Sequence, residues 1–349
     1  VHIELTNLCN FSCSFCPDGV MKRKRGLMDA ELAKSALDQI SDLRCARKVT
    51  FHVMGEPLMH PRFLEIVDHA HARNLKIGLT TNGALLKPDI MREIASRDLH
   101  QIDISLQTPD EESFYATRGK GMDFSEYRSR ILTLLKACAA RPNPPIFKFR
   151  VMVTRFAGGM RRKLSIPDFL KTNAELRQTV MDWTRLIYEQ IGKPLPPSGD
   201  MRREIDKISV RGWNVIEVSP RIFIETYLLT NWGNTFTDGP IVKADFGYCF
   251  GMRDHFAILY NGDVTLCCVD YEGRAAVGNL KKSSLGEILA GPGLKRIVQS
   301  FKKGRIVHPY CKECLGSSSR VGALLKPVMT IVGLKALKPF FYRKYRLYK

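Results

Sequence analysis

Short β-rich runs alternate with helical stretches through the front of the chain, and this alternation restricts the possible folds more than any other feature. His2–Leu5, Val49–Val53, Lys76–Thr80, Gln101–Leu106 and Lys148–Thr154 read as strands. Between them Ala30–Leu43 places Leu32, Ala36, Leu37 and Ile40 on one helical face with Asp29 as N-cap. Phe63–Ala72, Pro88–Ser96 and Phe124–Ala140 follow the same spacing. Repeated strand–helix–strand units pair parallel strands through right-handed crossovers, which predicts an α/β sheet or barrel. In parallel barrels chemistry gathers where strands end, so the residues just after each strand are the candidates for function.

From Pro142 to Asp245 the pattern loosens, with breaks at Pro142–Pro145 and Pro194–Pro197, a long amphipathic helix near Asp168–Ile191 and a sixth strand at Val215–Val218. After Tyr248, the runs Phe256–Tyr260 and Val264–Cys268 flank Asn261-Gly262-Asp263, a hairpin signal that opens a smaller domain. The expected division is 1–230 for a barrel domain, 231–320 for the small domain and 321–349 for a basic amphipathic tail.

A chain of 349 residues that is 44% hydrophobic can bury one barrel-sized core and a smaller module. Its ten cysteines fall in tight groups with no signal peptide, which favours metal ligation in a reducing cytoplasm over disulfides. The sequence opens on Val1, already inside a strand-like run, and reads as trimmed. No apolar stretch approaches the roughly 18–20 residues needed to span a bilayer. A net charge of +19, with clusters at Lys22-Arg23-Lys24-Arg25 and Arg161-Arg162-Lys163, favours anionic partners. Aromatic residues are not interleaved with these clusters, so nucleic acid is not expected as a partner.

Directly after the first strand comes Cys9-Asn10-Phe11-Ser12-Cys13-Ser14-Phe15-Cys16-Pro17. Three thiolates can hold three irons of a cubane and leave the fourth open, whereas saturated clusters take four. Zinc is the competing metal, although three cysteines with no nearby histidine make a poor closed zinc site. Cys45 and Cys138 read as core thiols, and His69 and His71, two apart, as surface residues.

The loop resembles the signature of the radical S-adenosylmethionine superfamily, in which an aromatic residue, here Phe15, precedes the third cysteine. The resemblance implies a partial (βα)6 TIM-like barrel, with a 4Fe-4S cluster on Cys9, Cys13 and Cys16 whose open iron chelates S-adenosylmethionine. One-electron reduction would then release a 5′-deoxyadenosyl radical. Gly55-Glu56-Pro57 is similar to the family segment that binds the methionine amino group. Thr80-Thr81-Asn82-Gly83 looks like its Thr-Asn-Gly turn, and Ser105 and Gln107 resemble polar residues that touch ribose and carboxylate. Many members carry Asp where Gln107 stands. Arg118, in Arg118-Gly119-Lys120-Gly121, resembles a basic residue near the carboxylate.

Cys249-x12-Gly262-x4-Cys267, followed by Cys311-x2-Cys314, resembles the auxiliary-cluster half of a SPASM domain, also seen alone as Twitch. Four thiolates there would ligate a second 4Fe-4S cluster fully, with a zinc ribbon as the alternative. Alternation along a strand aims Cys267 and Cys268 oppositely, and Cys267 is the expected ligand. No cysteine follows Cys314, so one auxiliary cluster is expected rather than two.

The resemblance implies an oxidoreductase-like enzyme that abstracts hydrogen from substrate, with the auxiliary cluster accepting an electron. A sugar, an aminocyclitol or another small anionic substrate is expected, with peptide modification as the alternative and a non-catalytic metal scaffold as the reading from another class. A flavodoxin or ferredoxin would supply electrons. Arg150, Glu225 and Tyr248 are substrate-site candidates by position alone. The tail, Ala323–Lys349, alternates apolar pieces with lysine and arginine, and so suits either an anionic membrane or packing against the barrel.

Overall fold

The computed structural model describes residues 1–118, 121–155, 158–196, 198–249, 251 and 254–337. Lys120, Pro197 and the basic run from Lys338 onward, all singled out above, lie outside the described residues. In chain order the strands are β1 (His2–Ile3), β2 (Val49–Phe51), β3 (Ile77–Thr81), β4 (Gln101–Gln107), β5 (Ile146–Val153), β6 (Asn214–Ser219), β7 (Ile222–Leu228), β8 (Ala257–Ile258), β9 (Asp263–Thr265) and β10 (Ala276–Asn279). Two compact units form: residues 8–19 with 48–230, and residues 1–7 and 20–47 with 231–349.

In the first unit β2, β3, β4, β5 and β7 run parallel in that spatial order, with β6 antiparallel to β7. This is the mostly parallel α/β sheet of a partial TIM-like barrel. The helices Phe63–Ala72 and Pro88–Ser96 match the expected limits, and Phe124–Ala139 stops one residue short. The expected helix near Asp168–Ile191 begins only at Asn173, because Leu170 takes a left-handed φ of 54° and Thr172 caps the helix by accepting from the Glu175 amide.

The sixth strand lies where expected, but the strand after it, β7, was not anticipated. Val215–Val218 does lie in a strand, but it pairs antiparallel as the hairpin partner of β7, and β7 takes the place beside β5. Both strands of this hairpin are rich in β-branched residues, so sequence pattern alone could not rank them. Along β5, Phe149 packs on Trp183 of the helix Asn173–Gln190, at a centroid distance of 5.6 Å. Alternation then turns Lys148 and Arg150 to the opposite sheet face.

In the second unit β1 pairs parallel with β8, and β8, β9 and β10 form an antiparallel meander. The expected hairpin turn is present: Gly262 has φ 93° and its amide donates to Leu259 O at 2.8 Å. Buried Glu4 accepts both terminal nitrogens of Arg23, at 2.6 and 2.7 Å, and the Tyr260 amide at 3.1 Å. Those donors compensate a carboxylate that is fully buried. Asp29 caps the helix Ala30–Asp42 as expected. Cys138 is buried, but Cys45 is exposed, since the helix ends before it and Arg44 turns left-handed at φ 48°.

Gly83, which closes the turn after β3, has φ 83°, and a Cβ there would lie 2.9 Å from Ile131 Cγ1. Gly83→Ala therefore combines backbone strain with overpacking. It is expected to lower stability by about 1–3 kcal/mol in chemical denaturation, with an unchanged m-value.

Candidate functional site

The cysteine loop lies in the first unit and is tied down at both ends by backbone bonds. The Glu56 amide donates to Leu8 O at 2.8 Å and the Ser14 amide to Thr117 O at 2.8 Å. Asn82 Nδ2 donates to Asn10 Oδ1 at 2.9 Å and approaches Cys9 Sγ at 3.6 Å. Cys9, Cys13 and Cys16 are half-buried free thiols whose charges act on one another. Burial pushes Cys9 up to about 11 and raises Cys16 as well. Burial also raises Cys13, against the opposing pull of the positive charge of Arg118. A bound cation would reverse these shifts, because it favours the thiolate.

Glu56 is the hub of the loops after β2 and β3. Gly55 supplies the left-handed φ of 71° that turns the chain, and Glu56 caps the short helix Pro57–Met59. Its carboxylate, 1% exposed, accepts from Thr81 Oγ1 at 2.7 Å, from the Asn82 amide at 2.6 Å and from the Leu58 amide at 3.2 Å. Burial nevertheless lifts it to about 7, with those donors pulling in the other direction. An ammonium group beside it would restore the ionised form.

Arg118 closes the helix Glu111–Arg118 and is 2% exposed. It donates to Tyr127 Oη at 2.6 Å and to Ser105 O, and lies over the rings of Phe11, at 5.0 Å, and Tyr127, at 5.6 Å. Its Nε and the nearby loop's Ser14 Oγ are buried with no hydrogen-bond partner among the described residues. Two such donors, one of them cationic, fit an anionic group such as the carboxylate of S-adenosylmethionine. Phe15 is buried, and Gln107, at φ 57°, has its Oε1 taken by Tyr227 Oη.

Sequence reading missed the ring of Tyr127, which is buried in the first turn of the helix Phe124–Ala139 with no motif around it, and missed Tyr227 and Trp213 beside the positional candidates Arg150 and Glu225 on the inner sheet face. There Arg150 faces Glu225 at 3.7 Å and lies over Tyr227 at 5.1 Å, while Trp213 Nε1 donates to Glu225 at 2.8 Å. Burial, with help from Arg150, lowers His52 to about 4. Tyr248, the third positional candidate, is buried in the second unit, where its amide donates to Thr330.

In the second unit the charge of Cys249 acts on Cys267, Cys311 and Cys314. The Gly251 amide points at Cys249 Sγ from 3.5 Å. Burial pushes Cys314 up to about 11 and raises Cys267 and Cys311. β9 ends at Thr265, so strand alternation does not separate Cys267 from Cys268, and the physical basis given above for choosing between them fails. The charges of Cys268, Cys249 and Cys314 all act on Cys267. Among the described residues no three His, Cys, Asp or Glu side chains converge as the ligands of a single metal ion do. A cubane takes its thiolates at separate corners and so asks for a wider set.

The raised Glu56 carboxyl carries a pH signature in protein free of iron and S-adenosylmethionine. A carboxyl lifted from 4.5 to about 7 contributes stability that is fully present below 4.5 and lost as pH rises through 7. Thermal melts from pH 4 to 8 should show that loss, on the order of 3 kcal/mol, in the parent chain and not in Glu56→Gln.

Residues 3–151 match the Radical SAM superfamily, and residues 249–315 match the SPASM iron-sulfur cluster-binding domain. The chain is 32% identical over 121 residues to Mycofactocin maturase MftC of Mycobacterium tuberculosis, covering 34% of this chain and 30% of that one. It is 42% identical over 60 residues to the S-adenosyl-L-methionine-dependent 2-deoxy-scyllo-inosamine dehydrogenase of Niallia circulans, covering 17% and 24%. These matches span less than a third of either relative's length. In fold it resembles native anSMEcpe with bound AdoMet and Cp18Cys peptide, with a TM-score of 0.50 at 14% identity over 100% of this chain and 99% of that one. With both matches falling on the cysteine sets described above, residues 3–151 of the chain belong to the radical SAM superfamily and residues 249–315 form a SPASM iron–sulfur cluster-binding domain.

Proposed function

We propose that this enzyme oxidises a small hydroxylated or anionic substrate, a sugar or aminocyclitol, with one auxiliary cluster as the electron acceptor. The observation that carries this reading is the four-thiol set around Cys249, which would leave a second cluster with no open iron for substrate. A 4Fe-4S cluster held by Cys9, Cys13 and Cys16, with S-adenosylmethionine beside it, would supply one-electron reductive cleavage chemistry for hydrogen abstraction at the first site.

The chain's own residues do the rest. Cys9, Cys13 and Cys16 hold the cluster, with Asn82 steadying Cys9. Glu56, on its Gly55–Pro57 turn beside Thr81, receives the methionine ammonium, and Arg118 receives the carboxylate. Phe15, Ser105 and Gln107 complete the cofactor wall, and Tyr227 fixes the orientation of Gln107. Burial of this wall excludes the water that would quench a radical. Arg150, Glu225 and Tyr227 offer a substrate a cation, a carboxylate and a phenol on the inner sheet face. That polar set suits hydroxyl, amine or phosphate groups, and the dehydrogenase among the relatives supports the small-molecule reading. Peptide modification is the second reading, favoured by the similarity in fold to a peptide-bound structure.

Anaerobic reconstitution with iron and sulfide, followed by dithionite and S-adenosylmethionine, tests the proposal. The parent chain is expected to bind about eight irons and form 5′-deoxyadenosine. Cys13→Ala should fall to about four irons and form none, whereas Cys249→Ala should fall to about four and still form it. A chain that takes up zinc at the second set, or forms no 5′-deoxyadenosine at all, sinks the reading in favour of a metal-binding scaffold.

A further inference from the structure

Helix Arg320–Thr330, continued by the π-helical segment Ile331–Leu337, is built inside out. Val321, Leu324, Leu325, Val328, Met329 and Val332 recur at helical spacing on one stripe, and all six are exposed; Val321 and Met329 are 67% exposed. The side that meets the rest of the second unit is Ala323 and Pro327, both buried, together with Lys326 and Thr330. Lys326 Nζ donates to the carbonyls of Cys314, at 2.7 Å, and Gly316, at 3.1 Å, and Thr330 Oγ1 accepts the Tyr248 amide at 3.1 Å. Ser319 caps the start by accepting from the Gly322 amide at 3.1 Å. These polar bonds hold the apolar stripe outward.

The charge of the same stretch of sequence is one-sided. From Arg320 to Lys349 there are eight lysines and arginines and no aspartate or glutamate, with Phe340-Phe341-Tyr342 and Tyr345 among them. A protein partner that covered only the apolar stripe would leave this charge unmatched. A bilayer surface with anionic headgroups matches both, taking the apolar side chains below the headgroups and attracting the cations other than Lys326, whose ammonium the Cys314 and Gly316 carbonyls hold. Aromatic side chains favour the same depth. Among the described residues no helix is long and apolar enough to cross a membrane, so the contact is one of lying on the surface.

We infer that the helix beginning at Arg320 is a membrane-surface contact that docks the enzyme on an anionic lipid bilayer. The reconstituted full chain should co-sediment with vesicles of phosphatidylcholine mixed with phosphatidylglycerol at least about tenfold better than with phosphatidylcholine alone, and high salt should weaken the binding. Leu325→Glu combined with Met329→Glu changes two exposed side chains and should abolish co-sedimentation, with iron content and the helical circular dichroism signal unchanged. A charge reversal elsewhere on the surface, Arg92→Glu, should bind as the parent does. Equal pelleting with both lipids, or undiminished binding by the double variant, overturns the proposal. So does a stable dimer in light scattering that the double variant splits, since the stripe would then belong to a second copy of the chain.

Discussion

The buried carboxylate of Glu56 is the interaction on which the rest of the first unit's site depends. It gathers donors from Leu58 after β2 and from Thr81 and Asn82 after β3, while its own amide bonds Leu8 at the head of the cysteine loop. Three loops that are far apart in sequence are thereby brought to one point. Each lies beyond the carboxyl end of a parallel strand, which is where this architecture leaves backbone donors free and side chains converging.

The same site is incomplete in its electrostatics. A carboxyl lifted by burial, thiols raised by the same desolvation and a buried guanidinium nitrogen with no partner each carry a free-energy cost in the chain alone. Under the proposed function each would be relieved by one component of the cofactor: irons would favour the thiolates, an ammonium would favour the carboxylate, and the carboxylate of S-adenosylmethionine would satisfy Arg118. Cofactor binding and site stability are in that sense one equilibrium. Arg118 is further held by the Phe11, Phe114 and Tyr127 rings, so the cation is positioned before any ligand arrives.

The second unit solves a related problem with fewer charges. Its thiols sit against an apolar cluster that includes Leu266, Tyr310 and Leu315. Gly233 has φ 66°, and a Cβ there would come within 3.1 Å of Cys314 Sγ, so the backbone passes close to the thiols where a side chain would not fit. Buried Asp270 bonds Thr265 and the Ala275 amide, closing the loop that carries Cys267 and Cys268. The outward apolar stripe after Arg320 is the opposite arrangement, in which polar bonds do the anchoring and the apolar side chains are left over.

Local order was legible in the sequence. The helix limits at Phe63–Ala72 and Pro88–Ser96, the Asp29 cap, the left-handed turn at Gly262 and the two cysteine patterns all follow from short-range rules of spacing and backbone sterics. Tertiary structure alone decided which of two adjacent β-branched runs stands beside β5, because that choice depends on crossover geometry rather than on either run's own propensity. It alone decided that Cys45 is exposed, that Tyr127 meets Arg118 and that Glu225 faces Arg150, since each rests on residues brought together from distant parts of the chain. The sequence by itself determined which side chains could carry the chemistry. The packing of loops around one desolvated carboxylate determined which of them meet, because burial, charge and hydrogen bonding act through distance in space and not along the chain.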